Sequence, residues 1–202
     1  MPRPFVRKDD LCYLNAMRHD PLYRPITVGA FHEIDFGTDH KFELVDGMIR
    51  MMTGGTPAHS RVASNILSFL GAKLRGSGCR AYNSDMGINV GDENVRYPDV
   101  AVFCQPATIE RERRKTYDDP VAIFEVLSAS TTRSDQGDKL ALYRQLASLD
   151  TIVFVDPEEE LTRIVQHLGP QSWRDDLFAR RDDVALPILR LAIPHVEIFA
   201  RD

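Results

Sequence analysis

The chain has 202 residues, 43% hydrophobic and 27% charged. That is ordinary globular usage, long enough to bury a sizeable apolar core without disulfide or metal staples, and it excludes a disordered chain or a disulfide-dense miniature scaffold. The formal charge of −5 argues against a dedicated nucleic-acid binder, whose phosphate contacts need an excess of Lys and Arg. It does not argue against a metal-dependent enzyme, in which each divalent cation offsets two clustered carboxylates.

From the N-terminus, "MPRPFVRKDD" has a charged start but no apolar core of the kind a secretion signal carries. No stretch approaches the roughly eighteen apolar residues of a membrane span, and the three cysteines, Cys12, Cys79 and Cys104, are odd in number and show no paired spacing. The expectation is a soluble cytoplasmic protein with reduced thiols and no membrane partner. Residues 1–26 read as an N-terminal extension in which Leu11, Leu14 and Met17 fall at helical spacing before Pro21 and Pro25 stop the pattern. Residues 27–202 read as a single domain.

In "KFELVDGMIRMM" two short apolar runs flank Asp46-Gly47, a dipeptide that tolerates positive φ at both positions and predicts a hairpin. Next, "TPAHSRVASNILSFLGAKLRG" places Val62, Ile66, Phe69 or Leu70 and Lys73 or Leu74 three to four apart. With Thr56 to cap it, Pro57 in its first turn and Gly76 to end it, it predicts a long amphipathic helix. The period then drops: "CRAYN", "GINVG", "YPDVAVF", "VAIFEVLS" and "TIVFVD" read as strands bounded by Gly, Pro, Asn or Asp. Between the last two lies a second helix, with Leu140, Tyr143, Leu146 and Ala147 as its apolar stripe, and "ELTRIVQHL" and "LPILRLAI" add a further strand and a tail. The order predicts an α/β fold with a mixed central β-sheet flanked by α-helices.

Two carboxylates interrupt buried-looking strands. Asp99 follows Pro98 at a strand start, and Glu125 sits inside "AIFEVL" between large apolar residues, where an ionised group is costly unless it is paired or holds a cation. Lys139 follows near the start of the helix that leaves the second strand, so a short connection brings its ammonium back over the strand end. Magnesium takes one or two protein carboxylates and keeps several waters, so Asp99 and Glu125 suit Mg2+, or Mn2+, with a substrate phosphate completing the shell. Such an ion lowers the pKa of a bound water, and Lys139 is placed to orient the nucleophile or stabilise developing charge. The chemistry implied is phosphodiester hydrolysis.

The blocks "KFELVDGMIRMM", "AHSRVASNIL", "YPDVAVF", "FEVLSASTTRSDQGDKLALYRQL" and "TIVFVDP", in that order, resemble the Uma-type family of restriction endonucleases within the PD-(D/E)XK nuclease superfamily. The resemblance covers roughly residues 27 to 165. It implies a restriction-endonuclease-like core and divalent-metal-dependent cleavage of DNA. Asp99 matches the motif's aspartate and Glu125 its second acid. The lysine expected two residues after that acid is replaced by Leu127, and Lys139 in "GDKLALY" matches the family's migrated lysine. Glu43 in "FELVDG" matches a further acid, a third metal ligand or the holder of a metal-bound water.

Other residues carry weaker signals. His59, in the first turn of the long helix, reads as a supporting residue or as exposed. Ser128, Ser130 and Thr131 read as caps for the second helix, and Asp135 and Asp138 as favourable charges at its N-terminus. The run "IERERRKTYDD" offers Arg111, Arg113, Arg114 and Lys115 for phosphates, but Glu110 and Glu112 dilute it toward a solvated face. Trp173 reads as a plug at the edge of the core. Cutting both strands of a duplex with one site per chain favours a homodimer. Two other readings stand beside the nuclease: a non-catalytic binding or assembly protein on the same fold, and hydrolysis of some other phosphoester.

Overall fold

The computed structural model describes residues 25–52, 54–106, 108–128, 133–177 and 182–201. Residues 1–24, which hold nearly all of the expected extension and Cys12, lie outside the described residues, as do Ser130 and Thr131. The elements run α1 (Val28–His32), β1 (Phe42–Val45), β2 (Met48–Met51), α2 (Pro57–Lys73), β3 (Arg80–Asn83), β4 (Gly87–Asn89), β5 (Val95–Arg96) and β6 (Val100–Phe103). After these come α3 (Ile109–Glu112), β7 (Thr116–Tyr117), β8 (Pro120–Val126), α4 (Arg133–Tyr143), β9 (Thr151–Asp156), β10 (Leu161–Gly169) and β11 (Ser172–Leu177). The chain closes with β12 (Val184–Leu186), a 3-10 turn (Pro187–Leu189), β13 (Leu191–Ile193) and α5 (His195–Ile198). Among the described residues, no helix is long and apolar enough to cross a membrane.

The two strongest local predictions form as expected. The hairpin β1–β2 turns at Asp46 and Gly47 with φ of 52° and 74°, and a side chain on Gly47 would collide with Pro25. Helix α2 starts at Thr56, whose hydroxyl accepts the His59 N–H at 3.2 Å, has Pro57 in its first turn, and buries Val62, Ile66 and Leu70.

A six-stranded sheet in the order β11-β10-β9-β8-β6-β3 is the centre of the molecule, antiparallel except for the parallel pair β8–β9. Parallel neighbours need a crossover, and α4 is that crossover. Alternation splits the sheet's side chains between two cores. Val100, Val102, Ala122, Phe124 and Val126 meet Val62, Ile66 and Leu70 of α2, whereas Ala101, Phe103 and Ile123 meet Leu140 and Tyr143 of α4. By the same period of two, Glu125 falls on the face that carries Ile123, under α4.

The expected mixed central sheet is accompanied by two others, the short pair β12–β13 and a larger one. The hairpin belongs to a separate five-stranded sheet, β2-β1-β5-β4-β7, which packs Ile88 and Tyr117 against the α4 core and Leu44 and Val95 against Phe31. "YPDVAVF" therefore does not form one strand with the residues before it. Val95 and Arg96 pair in one sheet, Pro98 breaks the ladder, and the chain enters the other at Val100. Asp99 stands at that crossing. The polar segment around Trp173 is also an edge strand, β11, with Trp173 tilted against His167 at 4.8 Å between ring centroids and under Arg144. Cys79 and Cys104 correct the expectation of reduced thiols, because they are joined in a disulfide. They flank the antiparallel pair Arg80↔Phe103, so strand register brings together two residues 25 apart that sequence spacing alone does not pair. The pairing removes the thiol count as a ground for placing the chain in a reducing compartment.

Candidate active site

The end of the β6–β8 ladder gathers the acids. Asp99 stands one residue outside the pair Val100↔Phe124, and its Oδ2 accepts the Val126 N–H at 2.7 Å, extending the ladder beyond its last backbone bond. The same oxygen lies 3.3 Å from His59 Nε2. His59 is delivered by the first turn of α2, whose start Thr56 and Pro57 set. The hydrogen bond to Asp99 raises the imidazole pKa above its ordinary value, burial opposes that, and the charge of Asp99 adds to it.

Glu125 is 5% exposed. Lys139 Nζ donates to its Oε2 at 2.7 Å, and the Tyr143 hydroxyl donates to its Oε1 at 2.6 Å. Lys139 and Tyr143 are four residues apart on α4, the spacing that stacks side chains on one helical face. Burial opposes the Lys139 ammonium, but the charge and hydrogen bond of Glu125 outweigh it and its pKa rises. Burial first, then the neighbouring Glu125 charge, push the Tyr143 hydroxyl well above its ordinary range, so Tyr143 stays a proton donor.

Glu43 enters from the other sheet. Its Oε2 lies 3.4 Å from Nε of Arg96, which is buried and has no hydrogen-bond partner on that nitrogen. Burial pushes the Glu43 carboxyl up, against the pull of Arg96 and Lys139, and the Glu125 charge adds to the rise. Burial likewise opposes the Arg96 guanidinium, but the fields of Tyr143, Glu43 and Glu125 hold its pKa above the usual value. Glu43, Asp99, Glu125, Lys139 and His59 are thus brought to one centre, and Asp99 and Glu125 come from adjacent strands.

Sequence reasoning missed Arg96 and Tyr143. Nothing in "GDENVRYPD" marks Arg96, because the residues before it are mostly polar and a charge there needs no explanation. Tyr143 was read only as core, and its ring is core, but its hydroxyl belongs to the site. The basic run behaves as a mainly solvated face. Arg111 pairs with Asp119 at 2.6 Å and lies 3.8 Å over the Tyr117 ring. Arg114 and Lys115 line an open groove of about 280 Å³ with His32, Asn89, Thr116 and Asp118. Thr116 and Asn89 alternate with Tyr117 and Ile88, so that groove lies on the face of the five-stranded sheet away from the acids.

A divalent cation fits the donor set in one way. Asp99 and Glu125 offer hard carboxylate oxygens in the number magnesium uses when water fills most of its shell. Among the described residues there is no group of three or more His, Cys, Asp or Glu placed to hold a metal, so a site built wholly of protein ligands does not fit.

Comparison with known proteins adds three findings. Residues 28–194 match the model of the Uma2 family, described as "Putative restriction endonuclease". Two proteins of the cyanobacterium Synechocystis sp. are similar in sequence: slr1290 is 35% identical over 116 residues, 57% of this chain and 60% of its own length, and sll1609 is 24% identical over 149 residues, 73% of this chain and 84% of its own. Both are described as uncharacterized. The crystal structure of a "putative nuclease belonging to DUF820" from Anabaena variabilis superposes with a TM-score of 0.72 at 19% identity, covering 87% of this chain and 98% of that one. A likeness at that identity concerns the fold, here a mixed α/β core of the restriction-endonuclease-like kind.

Proposed function

The chain belongs to the Uma2 family, and from that premise we propose that it is an endonuclease that hydrolyses phosphodiester bonds of DNA with the help of Mg2+ or Mn2+. The observation that carries this reading is the 2.7 Å contact between Lys139 Nζ and Glu125 Oε2. A lysine displaced from the strand to the next helix matters chemically only if it returns to the second acid, and it does.

Asp99 and Glu125 are the residues that would hold the cation, which when bound would acidify a water and neutralise a phosphate oxygen. Lys139 orients the attacking water and stabilises the charge that develops as the new P–O bond forms and the bond to the leaving oxygen breaks. His59 holds Asp99 Oδ2 in place, Tyr143 holds Glu125 Oε1, and Arg96 keeps the neighbouring Glu43 from repelling the centre. On this reading residues 27–202 act as one catalytic unit in the cytoplasm, and two copies are needed to cut both strands of a duplex.

The test is cleavage of supercoiled plasmid and of single-stranded and duplex oligonucleotides with either ion. Asp99→Ala and Lys139→Ala are expected to abolish cleavage while the protein stays folded. Calorimetric titration should show ion binding that vanishes in Asp99→Ala and Glu125→Ala. Full activity in both alanine variants sinks the proposal. A second reading, a non-catalytic assembly protein on the same fold, is favoured by one observation: both Glu125 oxygens already have protein partners. It predicts no ion binding with or without DNA.

A further inference from the structure

Both oxygens of Glu125 are gripped from one face of α4, but the two grips differ in kind. Tyr143 is fully buried, with its ring inside the core formed by Ile123, Leu140 and Phe154, and it cannot leave without opening that core. The Lys139 side chain keeps 22% of its surface exposed against 6% for Glu125, and its four-carbon stem lets the ammonium swing outward. The buried carboxylate therefore has one fixed partner and one that can be exchanged.

Resting on the metal-dependent reading above, we propose that Lys139 is a latch, an internal cation that occupies Glu125 Oε2 until a divalent ion takes its place, while Tyr143 is a positioning residue that keeps Oε1 fixed throughout. The exchange replaces one cation with another, so Glu125 is never left as a bare buried charge, which would be strongly unfavourable. It would also free the ammonium to approach an attacking water or phosphate oxygen held by the ion. Lys139 thus leaves the acid and reaches its catalytic position in a single movement.

The two donors to one carboxylate then have opposite effects on ion binding. Magnesium and manganese are titrated calorimetrically into the full chain carrying Lys139→Met, Lys139→Gln or Tyr143→Phe, at one fixed monovalent salt concentration so that screening at the exposed surface is the same in every titration. Lys139→Met should bind the ion about tenfold more tightly than the wild type, the gain expected when a latched state that hides most of the sites is removed. Lys139→Gln, which keeps a neutral donor, should fall between the two. Tyr143→Phe should bind about tenfold more weakly, the usual scale for losing a group that orients a metal ligand. Magnesium should also raise the melting temperature of Lys139→Met by more than that of the wild type.

Unchanged or weaker binding in both Lys139 variants overturns the latch. A Tyr143→Phe protein that melts lower but binds the ion normally overturns the positioning role and leaves Tyr143 to packing alone. If the wild type binds no ion even with DNA present, the metal-dependent reading itself has failed and the latch with it. If the wild type binds, Asp99→Ala does not, and the Lys139 variants match the wild type, only the latch has failed.

Discussion

The ion pair Lys139–Glu125 and the ion pair Arg163–Asp175 have nearly the same length, 2.7 and 2.6 Å, in opposite settings. Glu125 lies under α4 with 6% of its side chain exposed, and its charge is answered by Lys139 and Tyr143 and felt by Arg96 and Glu43. Asp175 lies on the edge strand β11 with 36% of its side chain exposed, and Arg163 grips both of its oxygens across to β10. Contact distance therefore does not separate a buried pair from a surface one. What separates them is how much water each carboxylate has given up and how many groups must move together if it is disturbed.

The largest effect that sharpens this contrast is the removal of one buried partner. Lys139→Met should lower the stability of metal-free protein by about 3 kcal/mol, because it leaves Glu125 buried without its cation. Adding Glu125→Leu and Tyr143→Phe to Lys139→Met should recover most of that loss, since replacing a whole buried polar network, hydroxyl included, with apolar groups is often neutral. Urea unfolding in a chelating buffer checks both. Tyr143→Phe should cost about 1.5–3 kcal/mol in the same experiment, the range for a hydrogen bond to a charged group.

The smallest effect lies at the surface. Asp175→Asn should cost under about 1 kcal/mol at neutral pH, solvent having screened most of the interaction. The Arg163 hydrogen bond, opposed by slight burial and aided by the Arg163 charge, lowers the Asp175 pKa in the folded protein. A carboxylate depressed in this way stabilises the fold above its unfolded pKa, and that contribution disappears as pH falls through the folded value. Wild-type and Asp175→Asn unfolding midpoints should therefore differ at pH 7 and converge below the ordinary aspartate range. A difference that persisted in acid would break the comparison.

Much of this architecture was legible in the sequence. Helix α2 carried an N-cap, a first-turn proline and a regular apolar stripe, and the β1–β2 turn carried Asp-Gly, so local chemistry alone predicted both. Asp99 and Glu125 stood out because charge in a buried run needs an explanation. The separation of the five-stranded sheet from the six-stranded one was not legible, because β5 and β7 are two residues long and too short to show a period. Nor was the Cys79–Cys104 bond, which depends on register between β3 and β6. Arg96 and Tyr143 were hidden for a related reason: each serves packing and the site at once, and a pattern read along the chain assigns a residue only one role.

Helix α4 connects parallel strands, so the length of chain between Glu125 and Lys139 is set by the span of the crossover rather than by the chemistry at its end. What the chemistry does require is the phase of the helix, with Lys139 and Tyr143 one turn apart and facing the strand. A motif search that demands a fixed count of residues from acid to lysine would pass over this chain. A search for an acid in a buried strand followed by a Lys-x-x-x-Tyr face on the returning helix would retrieve it, whatever number of residues separates the two.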